Sequence, residues 1–385
     1  MKKILIDCRK DGYITALIEN GKLIEVLRDN KEGSLVGNIY VGIVKKILAG
    51  FVFADIGQDK QVFFDVRDRR EAGLFKDGKI SVRQGDALML QVIKDGEGDK
   101  CPNATSNIAY ADKYVVLSKT IGRDQINIST KITDSEEILR LKEIGREIVP
   151  AGFSAIFRTE SAGADRKEIQ LEVDALLAKF EGYKSWVHMK PPAVLFAEHP
   201  VVKVLRHINE NMDEIVVNDA QVYDILVKEL CGLFDSKIRY FESDIHIFDH
   251  FCVKTQMDKM SERKVWLKSG AYIAIERTEA CVVIDVNTAK SSIKNKGNLK
   301  INMEAAEEIA YQLRLRNLSG IIIIDFINMP SKADIHKLIQ HFQSALSHDK
   351  IPSFVAGMTS LGMVEMTRKK ARNAFWTPRS NVTLH

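Results

Sequence analysis

Short apolar runs alternate with polar positions through residues 3 to 28, and the dipeptide Asn20-Gly21 divides them. Both of its positions accept positive φ, so the pattern predicts a tight β-hairpin at the start of the chain. From Gly37 to about Leu117 the runs stay short and β-rich (NIYVGIVKKIL, GFVFADIG, QVFFDV, ALMLQVI), with Gly and Asp between them and no helical period. This spacing predicts a small closed barrel of the OB type.

Helical periodicity begins at Asp134. This residue can cap a helix over EEILRLKEIGREI, with Glu137 three places on as its capping-box partner. A second helix is predicted from about Asp165 to Trp186, where Ile169, Val173, Leu176, Leu177 and Phe180 share one face, and a third from Gln221 to Phe234. From Val265 onward the strands KVWLK, AYIAIER and CVVIDV precede a basic loop and a helix across EAAEEIAYQLRL. The strand GIIIIDF, a helix capped by Ser331 and Asp334, and the strand SFVAGM complete the pattern. Alternating strands and helices predict an α/β sheet with adjacent parallel strands, its active groups at their carboxyl ends. The expected fold class is a mixed one, α+β with an α/β region, in several substructures.

Two aspartates end apolar strands in that last region, Asp285 in VVID and Asp325 in IIIID. Carboxylates that emerge on adjacent strands can share one cation. A site with few protein ligands and several waters suits magnesium, with manganese as second choice. Each Asp could equally cap the loop or helix that follows it. Asn287 projects to the same side as Asp285 by the two-residue period, and an amide there can orient a phosphate or a water. Lys290, Lys294, Lys296 and Lys300 follow, and MTRKKAR adds Arg368, Lys369, Lys370 and Arg372. Basic loops beside a metal suit a phosphodiester, although an ordinary solvated surface has the same composition. Within the barrel region, Phe53 and Phe63 lie on successive strands, with Lys94 and Lys100 in the turn after the last strand. Exposed rings and cations of this kind hold single strands on OB folds; core packing is the competing explanation for the two rings.

Composition narrows the classes. With 385 residues, 45% hydrophobic and 28% charged, this is a folded chain long enough for more than one core. Lys and Arg outnumber Asp and Glu by 56 to 52, which permits an anionic partner without requiring one. Cys8, Cys101, Cys231, Cys252 and Cys281 form no CxxC pair, as expected of reduced thiols in a cytoplasmic protein. The N-terminus lacks the apolar core of a signal peptide, and no segment approaches the ~20 apolar residues of a membrane span.

Together these segments resemble the ribonuclease E/G endoribonucleases along nearly the whole chain. TEACVVIDVNTAKS (Thr278 to Ser291) and NMEAAEEIAYQLRLRNLSGIIIIDFINM (Asn302 to Met329) carry the resemblance above all. NIYVGIV (Asn38 to Val44), FRTES (Phe157 to Ser161) and SKIRYFESDIHIF (Ser236 to Phe248) add to it. The resemblance implies hydrolysis of single-stranded RNA, with magnesium on Asp285 and Asp325 and the scissile phosphate at Asn287, leaving 5′-phosphate and 3′-hydroxyl ends. It implies base contacts from Phe53 and Phe63 and backbone contacts from Lys94 and Lys100. It also implies a pocket for a 5′ monophosphate at Arg158, Thr159 and the main chain of Val116. The implied division is an RNase H-like piece (1–35 with 187–250), the OB barrel (36–118), a 5′-end sensor (119–186) and a DNase I-like catalytic piece (251–385).

Three features depart from the family pattern. A cysteine motif of the CPxCxGxG kind, which links two family chains through zinc, does not follow MTRKKAR, where NAFWTPRSNVTLH stands instead. No structural zinc is therefore expected, and the chain is expected to be a monomer or weak homodimer. Cys101-Pro102 follows Lys100 where the family usually has Gly and a small residue, and Asn328 stands where Asp is common. Two other functions stay open. One is an RNA-binding protein of this architecture without catalysis, against which Asp285, Asn287 and Asp325 argue. The other is a small-molecule phosphatase or nucleotide enzyme that uses the same carboxylates, against which the barrel with Phe53, Phe63 and the nearby lysines argues.

Overall fold

The computed structural model describes residues 1–370 except 32, 69–74, 77–78, 97–98, 120–124, 183–187, 209–211, 231–236 and 289–296. The chain divides into two units, Met1–Gly33 with Pro200–His385, and Ser34–His199.

In the first unit, Lys2–Arg9, Gly12–Glu19 and Lys22–Asn30 form an antiparallel meander. Asn20 at φ 51° and Gly21 at φ 79° make its second turn, as the dipeptide predicts. Lys2–Arg9 also pairs in parallel with Glu214–Val217, and that strand with Ile238–Tyr240, which completes a five-stranded sheet. Strand alternation gives the sheet two apolar faces. Ile4, Ile6 and Ile215 bury against Val201, Leu205 and Leu226 of helices Pro200–Ile208 and Ala220–Glu229, whereas Leu5, Ala16 and Val216 bury against Phe248, Val253 and Leu315. The helix predicted to reach Phe234 ends at Glu229; residues 231–236 lie outside the described ones.

A six-stranded sheet in the same unit has the order Lys264–Trp266, Tyr272–Arg277, Cys281–Asn287, Gly320–Asp325, Val364–Arg368, Ser353–Met358. Among these strands only Cys281–Asn287 and Gly320–Asp325 run parallel, joined by the crossover helix Asn298–Leu315. The expected adjacent parallel strands are this one pair, set in an otherwise antiparallel sheet. Antiparallel strands flank it on both sides, Lys264–Trp266 and Tyr272–Arg277 on one and, on the other, the hairpin of Ser353–Met358 and Val364–Arg368, whose tight turn uses Gly362 at φ 87°. Helices Asn298–Leu315 and Lys332–Leu346 cover one face, packing Ile309, Leu313 and Phe342 onto Ile275, Ile284 and Ile324. Ser331 caps the second of these helices by accepting from the Asp334 N–H.

In the second unit, Ile39–Leu48 pairs with both Phe51–Asp55 and Ala87–Lys94, Phe51–Asp55 with Val62–Asp65, and Val62–Asp65 in parallel with Asn103–Thr105. Asn103–Thr105 returns to Ala87–Lys94, which closes a five-stranded barrel consistent with an OB fold. Tyr40, Val52, Ala54, Phe64 and Leu90 fill it. Ala193–Phe196 adds to this barrel at Ile39 to Val41, which draws residues up to His199 into the second unit. Beside it, a four-stranded sheet (Ala109–Ala111, Val115–Lys119, Phe153–Phe157, Ile126–Ile128) shares a core with helices Ser135–Ile148 and Arg166–Glu181. Ile169, Val173 and Leu176 are fully buried there, with Leu177 and Phe180 packed alongside. Asp134 caps the first helix, but Glu137 does not close a capping box. Its carboxylate instead takes two bonds from Arg140, at 2.6 and 2.7 Å, and one from the Gly163 N–H.

Candidate active site

Asp285 and Asp325 are register partners on the parallel strand pair. Alternation sets their direction: Ile284 and Ile324 enter the helix-covered core, so both carboxylates stand on the open face of the sheet. Neighbouring strands lie about 4.8 Å apart, which brings the two carboxylates within reach of one cation. Asn287, two residues along on the same face, donates from Nδ2 to Asp285 Oδ2 at 2.5 Å and fixes that carboxylate. Two exposed carboxylates beside an amide are hard oxygen donors of the kind that magnesium shares with water, so the residues fit such an ion. Among the described residues no cluster of three or more His, Cys, Asp or Glu could hold a metal. The pair is therefore the candidate.

The chain leaving Asp325 is clamped from the crossover helix. Asn302, fully buried, donates to the Ile327 carbonyl at 2.8 Å and accepts from the Ile327 N–H at 3.0 Å, while Asn298 donates to the Asn328 carbonyl at 3.0 Å. Both asparagines went unnoticed in the sequence, where their i, i+4 spacing at the start of a helix was the available signal. Asn328 enters the clamp through its carbonyl, which an Asp would offer equally.

The cations divide. Lys300 is exposed in the first turn of Asn298–Leu315, and Lys290, Lys294 and Lys296 lie outside the described residues. Arg368 corrects the expectation of a basic cluster beside the carboxylates. Only 2% exposed, it bonds Asp349 at 2.7 Å, the Asn317 side chain at 3.0 Å and the Leu318 carbonyl at 2.9 Å. Its register partner is Gly320 whereas Val364 pairs with Ile324, so Arg368 stands toward the sheet's other end, five residues from Asp325 along the strand; Arg372 lies outside the described residues. A guanidinium buried on a carboxylate holds structure and is not offered to a phosphate.

On the barrel, register assembles a row that the sequence only hinted at. Lys46 pairs with Phe53, Phe53 with Phe63, Phe63 with Asn103, and Asn103 with Lys94. Val52, Ala54, Val62 and Phe64 fill the interior, so Phe53 and Phe63 turn outward, half-buried, with rings stacked 6.1 Å apart. Phe51, Lys46, Asn103 and Arg67 were not singled out from the sequence. Phe51 lies 6.3 Å from Phe63 and carries Arg67 over its ring at 5.2 Å. Lys100 is exposed in the turn, and Gly96 packs so closely on the Lys100 carbonyl that a Cβ there would come within 2.2 Å. At the Cys101-Pro102 departure, the Pro102 carbonyl accepts from the Phe63 N–H at 3.0 Å, a main-chain bond open to any residue.

In the four-stranded sheet, Val116 pairs with Ile156 on one side and Ala111 on the other. Arg158 follows the Phe153–Phe157 strand, donates its N–H to the Tyr114 carbonyl at 2.8 Å, and turns its guanidinium onto the Asp112 carbonyl. The Thr159 hydroxyl lies 3.3 Å from that of Ser129, a neighbour the sequence did not suggest. Glu172 accepts from the N–H groups of Tyr114 and Val115 at 2.8 and 2.7 Å, and burial pushes its carboxyl above the usual range.

A family model, the Ribonuclease E/G family, matches residues 110–371. The chain belongs to this family. It is 34% identical to Ribonuclease G of Escherichia coli (strain K12), over 97% of this chain and 80% of the relative. Ribonuclease G of Haemophilus influenzae is 33% identical over the same shares, and Ribonuclease E of Synechocystis sp. is 34% identical over 87% of this chain and 52% of its own length.

Proposed function

We propose that this chain is an endoribonuclease that hydrolyses single-stranded RNA in RNA processing or decay, with magnesium, or manganese in its place, held by Asp285 and Asp325. The observation that carries this proposal is the direct pairing of those two carboxylates on the open face, with Asn287 hydrogen-bonded to the first. When bound, the ion offsets charge at the scissile phosphate and favours ionisation of an attacking water. The chain's own groups supply position. Asn287 holds Asp285 in one orientation and keeps a second amide N–H for a phosphate oxygen. Asn298 and Asn302 hold the segment after Asp325. Departure of the 3′ oxygen leaves a 5′ phosphate on one product and a 3′ hydroxyl on the other.

The outward row of the barrel supports a path for the strand, with bases on Phe53 and Phe63 and backbone phosphates at Lys94 and Lys100. Arg158, Thr159 and the main chain of Val116 are assigned to a terminal 5′ monophosphate. The Arg158 guanidinium would then exchange the Asp112 carbonyl for a charged acceptor, a stronger bond. The strand order of the first sheet supports an RNase H-like assignment for its piece, and a DNase I-like one is proposed for the carboxylate-bearing sheet. A cytoplasmic location is proposed; no helix among the described residues is long and apolar enough to cross a membrane. A monomer or weak homodimer without structural zinc is proposed from the cysteines, of which Cys8, Cys101, Cys252 and Cys281 are free thiols and Cys231 lies outside the described residues.

Cleavage of one short RNA bearing a 5′ monophosphate or a 5′ hydroxyl, with magnesium and then with EDTA, tests the proposal. Cutting that needs the metal and is faster on the monophosphate is expected. Binding without cutting would leave an RNA-binding protein instead.

A further inference from the structure

The open face of the six-stranded sheet carries an aromatic pair that the fold does not require. Trp266 is 63% exposed, while Val265 and Leu267 on either side of it turn toward the core. Its ring lies 5.2 Å from that of Tyr272, and Lys264 Nζ stands 4.8 Å over the same Tyr272 ring. An exposed indole alone is unremarkable, but paired with a second ring and a cation on the face that carries the carboxylates it offers a surface on which a base can stack.

Register ties this group to the carboxylates. Trp266 pairs with Tyr272 and Tyr272 with Asn287, which forms one row across three strands. Lys264 pairs with Ala274, Ala274 with Asp285, and Asp285 with Asp325, which forms a second row beside it. Both rows lie on the face opposite Ile273, Ile275 and Ile284. At about 4.8 Å per strand, Trp266 is about 10 Å from Asn287, and Lys264 is equally far from Asp285. Ala274, the residue between Lys264 and Asp285, is small, so no bulky side chain of this row separates the cation from the carboxylate.

We infer that Trp266 and Tyr272 form a stacking subsite for the base of a nucleotide next to the scissile phosphate, with Lys264 beside an adjoining backbone phosphate. The inference rests on the proposed nuclease site at Asp285 and Asp325. Stacking of this kind accepts every base, since each has a π-face, and it holds the strand at the carboxylates independently of the barrel.

The test uses the full-length protein and a short single-stranded RNA with one cleavage site, alongside copies in which each nucleotide flanking the cut is made abasic in turn. Trp266→Ala is expected to lower kcat/KM about tenfold or more, the size of one lost base stack, with Trp266→Phe retaining most of the activity. At one flanking position the abasic substitution should cost the wild type the same factor and cost Trp266→Ala nothing further. The inference is overturned if Trp266→Ala stays within twofold of wild type, or if variant and abasic losses multiply at every position. Should Trp266→Ala fold poorly, Trp266→Leu, which keeps apolar bulk without a π-face, takes its place in the same series, with the same expected and overturning results. Asp285→Asn runs in parallel: if it cuts normally, the proposed metal site has failed, whereas an inactive Asp285→Asn beside a normal Trp266→Ala removes the stacking subsite alone.

Discussion

Phe63 and Phe64 are consecutive in the chain yet stand on opposite sides of the barrel wall. Phe64 is 1% exposed in the barrel core, whereas Phe63 faces outward against Phe53. The two alanine substitutions should therefore separate. Phe64→Ala is expected to lower stability by about 3–5 kcal/mol through the cavity it leaves. Phe63→Ala should weaken binding of a single-stranded RNA by about 1–3 kcal/mol with little change in melting temperature. Fluorescence titration and thermal melts on both variants check this, and a Phe63→Ala protein that melts early but binds normally would return that ring to a packing role.

The Asn302 clamp predicts a stability effect at a distance from any substrate contact. Asn302→Ala removes both partners of the Ile327 main chain, and each stranded group costs about 1–3 kcal/mol. Urea denaturation should show a loss of about 2 kcal/mol or more. Asn302→Asp should be worse, because a carboxylate oxygen would then face the Ile327 carbonyl. Wild-type stability in both variants would show that the clamp is dispensable.

Glu172 gives the fold a pH dependence. Burial raises its carboxyl above the ordinary value of 4.5, although two main-chain N–H groups pull the other way. A carboxyl raised in the folded state adds stability below its ordinary pKa and loses it as pH rises through the raised value. Glu172→Gln keeps an oxygen for both N–H groups and removes the buried charge. Its melting temperature should match wild type near pH 4 and equal or exceed it at pH 7. A marked drop at pH 7 in the variant would mean that the charged hydrogen bonds outweigh burial.

The elements and strand-end carboxylates were legible because alternation is local: VVID and IIIID declare which residues enter a core and that an Asp follows. Partnership was not legible. That Asp285 sits beside Asp325, or that Lys46, Phe53, Phe63, Asn103 and Lys94 share a row, depends on register between distant segments. Arg368 shows how a correct local pattern misleads. In VEMTR, Val364, Met366 and Arg368 all fall on the buried side, so the arginine's place was written in the alternation, but the partners that make it habitable, Asp349, Asn317 and the Leu318 carbonyl, were not. Trp266 went unremarked for the opposite reason, since a strand pattern does not say which face the helices leave open.

The most direct test of the central claim measures RNA cleavage and RNA binding in the same preparations of Asp285→Asn and Asp325→Asn with saturating magnesium. Each substitution keeps the side-chain shape and removes one charge from the pair. Cleavage is expected to fall by about two orders of magnitude or more in both, with affinity for the RNA within about threefold of wild type. Cleavage at the wild-type rate in both purified, folded variants would contradict a metal-dependent site at these two aspartates.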